Sequence, residues 1–417
     1  MHTEATPDIG SLIKPSGAHS ALYTDQAVFE RELQRVFEEN WVYVAHVSEF
    51  PRDGDYIRRT VGTQPVLVTR ARDKFHVVVN RCAHRGNLLC MPERGRKRSF
   101  VCQYHGWAFA QNGDLVDIPY PSGCAHIDRE KSGLRTARVE IYRGFIFASL
   151  KHDVAPLSEF LGLGAHALDR VSDLSPAGEL DIGPTWVRHL FRANWKMMSE
   201  NEADGYHVNF VHNSFARAID QSGKYENILV DDESDVGAVC RYLGNGHTEL
   251  EYESTYPAPL TWLRVKEDRY PEYFAAMCES YGEADAREIL RRGPPHAFIF
   301  PNLFIAETCL VMIQPLSVGE TVNWHTPLYL KDAPDEVNRR ILRQGEVAMG
   351  PSSFLTADDA IIAERQWRAM RGAPGWLDLS RGEHRETVTN DGVVQSHYTD
   401  EVSNRGFWNH YKSLFAA

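Results

Sequence analysis

The stretches "NRCAHRGNLLC" (Asn80–Cys90) and "FVCQYHGWAF" (Phe100–Phe109) decide what the first third of this chain is built to hold. Cys82 and His84 stand two positions apart in the first stretch, and Cys102 and His105 three apart in the second. Two thiolates and two imidazoles offered by two loops suit either structural zinc or a two-iron cluster with mixed ligands. Structural zinc more often comes with CxxC spacing. Here each loop supplies one ligand of each kind, so both thiolates can hold one iron and both imidazoles the other.

The surroundings of these loops read as β structure. "WVYVAH", "PVLVT", "FHVVVN", "FVCQYH", "WAFA" and "GFIFASL" are rich in β-branched and aromatic residues. "AQNGDLVD" reads as a hairpin turning at Asn112-Gly113. Before them, "TDQAVFERELQRVFEENW" has a Thr/Asp cap, and Val28, Phe29, Leu33, Val36 and Phe37 share one helical face. The expected order is an N-terminal helical arm over 1–40 packing on the last domain, a mostly antiparallel β domain over 41–155, and a larger mixed domain over 156–417. In that last part the sequence leads toward a helix near 195–212. Strands are expected at "AFIF", "LFIA", "LVMIQP" and "VNWHTPLYL", and a late helix at "TADDAIIAERQWRAM". The fold class is α+β.

Composition narrows the function classes. The 417 residues are 43% hydrophobic and 24% charged, as in a soluble globular protein. The formal charge of −12 argues against nucleic acid as a partner. No apolar run reaches the roughly 20 residues that span a bilayer, and the N-terminus lacks a signal-peptide pattern. Seven irregularly spaced cysteines do not form a secreted disulfide framework. A cytoplasmic protein is expected. No P-loop and no GxGxxG after a strand is present, so nothing marks a nicotinamide or flavin site on this chain.

"ANWKMMSENEADGYHVNFVH" (Ala193–His212) supplies Glu200, Asp204, His207 and His212. Two histidines and a distant carboxylate with open positions between them are the ligand set of a non-haem Fe(II) oxygenase. His207 and His212 would lie about 140° apart on a regular helix, so a helix irregularity or ending is predicted between them.

The two loops, C-x-H-R-G and C-x-x-H-G-W, resemble a Rieske cluster site. The stretch NWK…EN-x-x-D-x-Y-H-x4-H resembles the iron-binding region of Rieske-type aromatic ring-hydroxylating oxygenase α subunits. The resemblance implies a Rieske domain placed before a catalytic domain with a helix-grip-like antiparallel sheet and helices. It implies Cys82, His84, Cys102 and His105 as cluster ligands, and His207 and His212 as iron ligands. A carboxylate from "FLTADDAIIAE" completes the set, Asp359 by the family's pattern and Asp358 as the fallback. Asp204 would link the iron histidine to a cluster histidine of a neighbouring subunit. Asn201 would be a pocket residue or would support the ligands, and Tyr206 would line the route to the iron. Respiratory Rieske proteins carry an extra disulfide where this chain has Asn87 and Tyr104, and a hydroxyl donor where it has Trp107. Fewer hydrogen bonds to the cluster sulfurs imply a potential toward the lower end of the roughly −150 to +300 mV range.

The implied activity is ring hydroxylation with O2 and electrons from NAD(P)H, delivered by a separate reductase with or without a ferredoxin. An aromatic carboxylate resembling benzoate, salicylate or phenylpropionate is the expected substrate, inserted with one or two oxygen atoms. The implied assembly is a homotrimer, α3, or α3β3 with a small β subunit. Two other functions share parts of the pattern. Quaternary-ammonium monooxygenases, acting on choline- or carnitine-like amines, share both motifs, and Asp204 favours ring hydroxylation over them. An electron carrier with a vestigial second domain would hold only the cluster, and three intact iron ligands argue against it.

Overall fold

The computed structural model describes residues 7–183, 185–215, 217, 237–350 and 353–416. It is an α+β protein whose chain divides into two units, Glu32–Leu157 and Met1–Arg31 with Ser158–Ala417.

The sheets of the Glu32–Leu157 unit are antiparallel throughout. One sheet runs in the order Lys74–Val79, Gln64–Ala71, Asp55–Val61, Arg94–Arg96, and a second in the order Ser99–Val101, Ala108–Ala110, Leu115–Asp117. In the third, Phe145–Ser149 lies between Arg138–Tyr142 and Val42–His46. The β-branched runs are in place because both faces of the strands are covered: Val66, Leu67 and Val68 are all fully buried. Gly113 closes the expected hairpin at φ +95°, a left-handed conformation that costs glycine little. "FVCQYH" stays extended only through Val101; beyond it the chain turns to present Cys102 and His105.

The N-terminal helix begins as the cap signal predicts. Asp25 accepts hydrogen bonds from the N–H groups of Ala27 and Val28, at 2.7 and 3.1 Å. The α-helix Gln26–Glu32 then gives way to a π-helical stretch, Leu33–Glu38. Val28, Phe29, Val36 and Phe37 are buried, and the wider π turn leaves Leu33 half-buried.

The other unit is organised by a long antiparallel sheet that meanders from Glu320–Leu330 through Cys309–Ser317, Leu303–Ala306 and His296–Ile299. It continues through His247–Glu251 and Val239–Gly244 to Val394–His397 and Thr387–Val388. Glu320–Leu330 also pairs Leu180–Ile182 and Val187–Phe191. The strand at "WVRHLF" has no counterpart in the sequence expectation. Helices Pro271–Tyr281 and Glu283–Arg292 precede His296–Ile299; residues 216 and 218–236 lie outside the described ones. Among the described residues no helix is long and apolar enough to cross a membrane.

The helix expected near 195–212 is broken. Asn194 caps Trp195–Asn201 by accepting from the Lys196 N–H, and its amide ties back to the Val318 carbonyl. The chain leaves the helix where Asp204 takes the Tyr206 N–H at 2.6 Å. At Gly205 a side chain would meet the Tyr398 carbonyl at 2.5 Å, so this close approach requires glycine. A single turn, Val208–Val211, follows, flanked by His207 and His212.

Glu200 ties this helix to both ends of the chain. It accepts hydrogen bonds from the Tyr23 hydroxyl at 2.8 Å and the Trp408 indole N–H at 2.5 Å. Burial pushes its carboxyl up to about 7. Between about 4.5 and 7 the folded chain keeps a proton that the unfolded chain has released, so stability falls as pH rises through that window. The Glu200→Gln variant should lack this component, on the order of 3 kcal/mol across the window. Melting temperatures of both proteins from pH 4.5 to 8 measure it, and parallel curves would refute it.

Candidate metal centres and substrate cavity

The two cysteine–histidine loops have one backbone plan. Cys82 donates its N–H to the Asn87 carbonyl and accepts from the Gly86 N–H, at 2.8 and 2.9 Å. Cys102 does the same with Trp107 and Gly106 at the same two distances. Gly86 and Gly106 both sit at φ +74°, where a Cβ is strained. Backbone N–H groups at the second and third positions after each cysteine point at its sulfur: His84 and Arg85 on Cys82, Tyr104 and His105 on Cys102. Asn80, fully buried, fixes the far end of the first loop by accepting from the Leu89 and Cys90 N–H groups and donating to the Cys90 carbonyl.

Cys82 and Cys102 are buried and within hydrogen-bond range of each other. His84 and His105 are exposed, their ring centroids 4.6 Å apart. Paired thiols inside and paired imidazoles outside are what a mixed-ligand two-iron cluster requires. Two details refine the sequence reading. The Asn87 amide reaches Cys102 Sγ at 3.8 Å, so this position contributes a weak donor to the sulfur. Trp107 stacks on His84, with centroids 4.9 Å apart and planes within 6°, and so sets that ring's orientation.

The second centre joins the broken helix to the helix Phe354–Gly372. His207 Nε2 and His212 Nε2 lie 3.3 Å apart, and Asp359 Oδ1 is 3.7 and 3.3 Å from them. All three atoms fall within 4.8 Å of one another. Buried Asp359 Oδ1 has no hydrogen-bond donor among the described residues. Burial pushes this carboxyl up to about 6, and burial with the neighbouring His207 pulls His212 down to about 4. Two imidazole nitrogens and an unsatisfied carboxylate oxygen facing one point fit a divalent cation on a facial triad.

The groups behind them have separate tasks. Asp204 Oδ2 lies 3.5 Å from His207 Nδ1, and Asp358 Oδ2 lies 3.8 Å from His212 Nδ1. Asp358 also accepts from the Ser214 hydroxyl, and Asn201 hydrogen-bonds Asp359. Burial lowers His207, but the neighbouring Asp204 carboxylate outweighs it and raises its pKa above the ordinary value. Tyr206 is turned outward, its ring under Arg381 at 4.0 Å.

Asp359 also borders a cavity. Phe191, Met198, Val311 and Met349 give it apolar walls, while His189, Asn323 and His325 stand on the adjoining strands. Sequence reasoning missed these three, which carry no local motif.

Residues 40–136 match the Rieske [2Fe-2S] domain, and residues 168–417 match the ring hydroxylating alpha subunit catalytic domain. The chain belongs to that family. Toluate 1,2-dioxygenase subunit alpha of Pseudomonas putida is 33% identical, over 87% of this chain and 80% of its own. The anthranilate 1,2-dioxygenase large subunit of Acinetobacter baylyi is 30% identical, over 88% and 80%. Naphthalene 1,2-dioxygenase with indole bound superposes with a TM-score of 0.83 at 25% identity, covering 99% of this chain and 95% of that one. This ring-hydroxylating oxygenase therefore takes a Rieske [2Fe-2S] cluster and a mononuclear iron as cofactors.

His207→Ala and Asp359→Ala should each bring the mononuclear iron to near zero and leave the cluster absorption intact. Asp358→Ala should retain most of the iron, since Asp358 stands behind His212. Iron counts per chain beside visible spectra read all three. Iron loss confined to Asp358→Ala would exchange the two roles.

Proposed function

We propose that this chain is the catalytic subunit that hydroxylates the ring of an aromatic carboxylate, with Cys82, His84, Cys102 and His105 holding the cluster and His207, His212 and Asp359 the iron. The convergence of the three iron-facing atoms beside a cavity with polar groups carries this reading. The toluate and anthranilate dioxygenase relatives, named for aromatic acids, support the substrate class. When bound, the cluster supplies single electrons and the iron supplies the place where dioxygen is activated.

The chain's own residues do the positioning. Asp204, with Oδ2 3.5 Å behind His207 Nδ1, favours the tautomer that turns Nε2 toward the iron position. Asp358 does so more loosely for His212, and Asn201 holds the Asp359 carboxylate. The apolar walls exclude water from the reacting ring. Asp204 keeps the side-chain exposure, 24%, that a second hydrogen bond needs. It would accept that bond from a cluster histidine of a neighbouring copy, which makes a head-to-tail C3 arrangement, α3 or α3β3, the active assembly. A separate reductase, with or without a ferredoxin, would deliver electrons from NAD(P)H in the cytoplasm.

A single turnover tests the reaction. The reduced, iron-loaded protein is given aromatic acids and quaternary amines, then labelled dioxygen. A ring product from an acid is expected; two labelled atoms mark a dioxygenase and one a monooxygenase. Product from an amine alone would overturn the substrate class. Asp204→Asn should keep both metals and lose about 100-fold in turnover with reductase; near-normal turnover would remove its bridging role.

A further inference from the structure

The cavity has one polar wall, set by strand register. His189 lies directly opposite Asn323 in the pairing of Val187–Phe191 with Glu320–Leu330, and Val187 lies opposite His325. Alternation along each strand then turns His189, Asn323 and His325 to the same sheet face, with Phe191 and Val311 beside them. Asn323 and His325 are 4% and 2% exposed.

Several polar atoms of this wall lack partners among the described residues. His189 donates one ring N–H to the Met349 backbone carbonyl, while its buried Nε2 has no partner. Both ring nitrogens of His325 and the Asn323 Oδ1 are likewise buried without partners. An unmet buried polar group is costly, so a wall carrying this many is built for a ligand that meets them. A hydrocarbon would seal them off unmet. A quaternary ammonium has no N–H to offer the acceptors and needs aromatic faces, yet Phe191 is the one aromatic ring besides the imidazoles among the described residues lining the cavity.

We propose that His325 donates to the substrate carboxylate and that Asn323 Oδ1 and His189 Nε2 accept from an adjacent hydroxyl or amino group, so that the favoured substrate is a salicylate- or anthranilate-type acid. This rests on the aromatic-acid reading above. Neutral His325 has one N–H to give a carboxylate oxygen, whereas His189 spends its own on the Met349 carbonyl and turns a bare Nε2 to the cavity, an acceptor like the Asn323 oxygen. The Asn323 carbonyl oxygen would repel a carboxylate and requires a donor. Glu202 shares the cavity, and burial raises its pKa well above the ordinary carboxyl value, so it does not oppose an anion there.

The test is single-turnover product formation by the iron-loaded protein against concentration of benzoate, salicylate and toluene, with iron content and cluster spectrum recorded for every variant. His325→Leu should raise the half-saturating concentration of both acids about 10- to 100-fold. Toluene should shift far less, or gain turnover. Asn323→Leu and His189→Phe should each reduce a preference for salicylate over benzoate, and His325→Gln, which keeps a donor, should recover part of the loss. Should His325→Leu fail to load iron, His325→Gln and Asn323→Leu carry the test. Acid half-saturation unchanged in the His325 variants, or acids and toluene shifting together, would overturn the subsite. Wild-type protein that converts no aromatic acid would instead overturn the substrate class.

Discussion

Two imidazole nitrogens 3.3 Å apart and a carboxylate oxygen that accepts from no donor among the described residues form the constraint around which the catalytic unit is arranged. Lone pairs converging in a buried place repel one another, and a cation removes that penalty. The local chain folds to hold the arrangement. The helix ends at Asn201, the glycine at 205 lets the backbone turn tightly against Tyr398, and a single turn separates the histidines. Carboxylates stand behind both rings, so neither is free to rotate away.

The cluster-binding unit solves a related problem with backbone. Its two loops repeat the same hydrogen bonds and the same glycine conformation, and each aims two N–H groups at a sulfur. N–H donors favour a thiolate and moderate its charge. The contrast between buried cysteines and exposed histidines gives the pair of loops an inner and an outer end.

How much of this was legible in the sequence follows from how far apart the cooperating residues lie. The loop ligands sit within a few positions of one another, and family resemblance pointed to them, to the iron residues and to the α+β class. The break after Asn201 was predicted only as an irregularity nearer the histidines, because the tight contact at Gly205 comes from Tyr398, nearly two hundred residues on. The strand Val187–Phe191 was unseen because its side chains alternate between the cavity and more exposed positions without a strong apolar pattern. The polar wall was invisible for the same reason: His189 meets Asn323 and His325 only through pairing with a strand far along the chain. The π-helical turn at Leu33–Glu38 likewise leaves no mark in an apolar pattern that reads as ordinary helix.

The pairing of Val187–Phe191 with Glu320–Leu330 also limits how this enzyme can diversify. A strand repeats every two residues, so inserting or deleting one would turn His189 and Phe191 away from the cavity and bring Arg188 and Leu190 into it. Variation in specificity is thereby channelled into side-chain exchange at fixed positions on these strands, while changes of length are left to the connections at their ends.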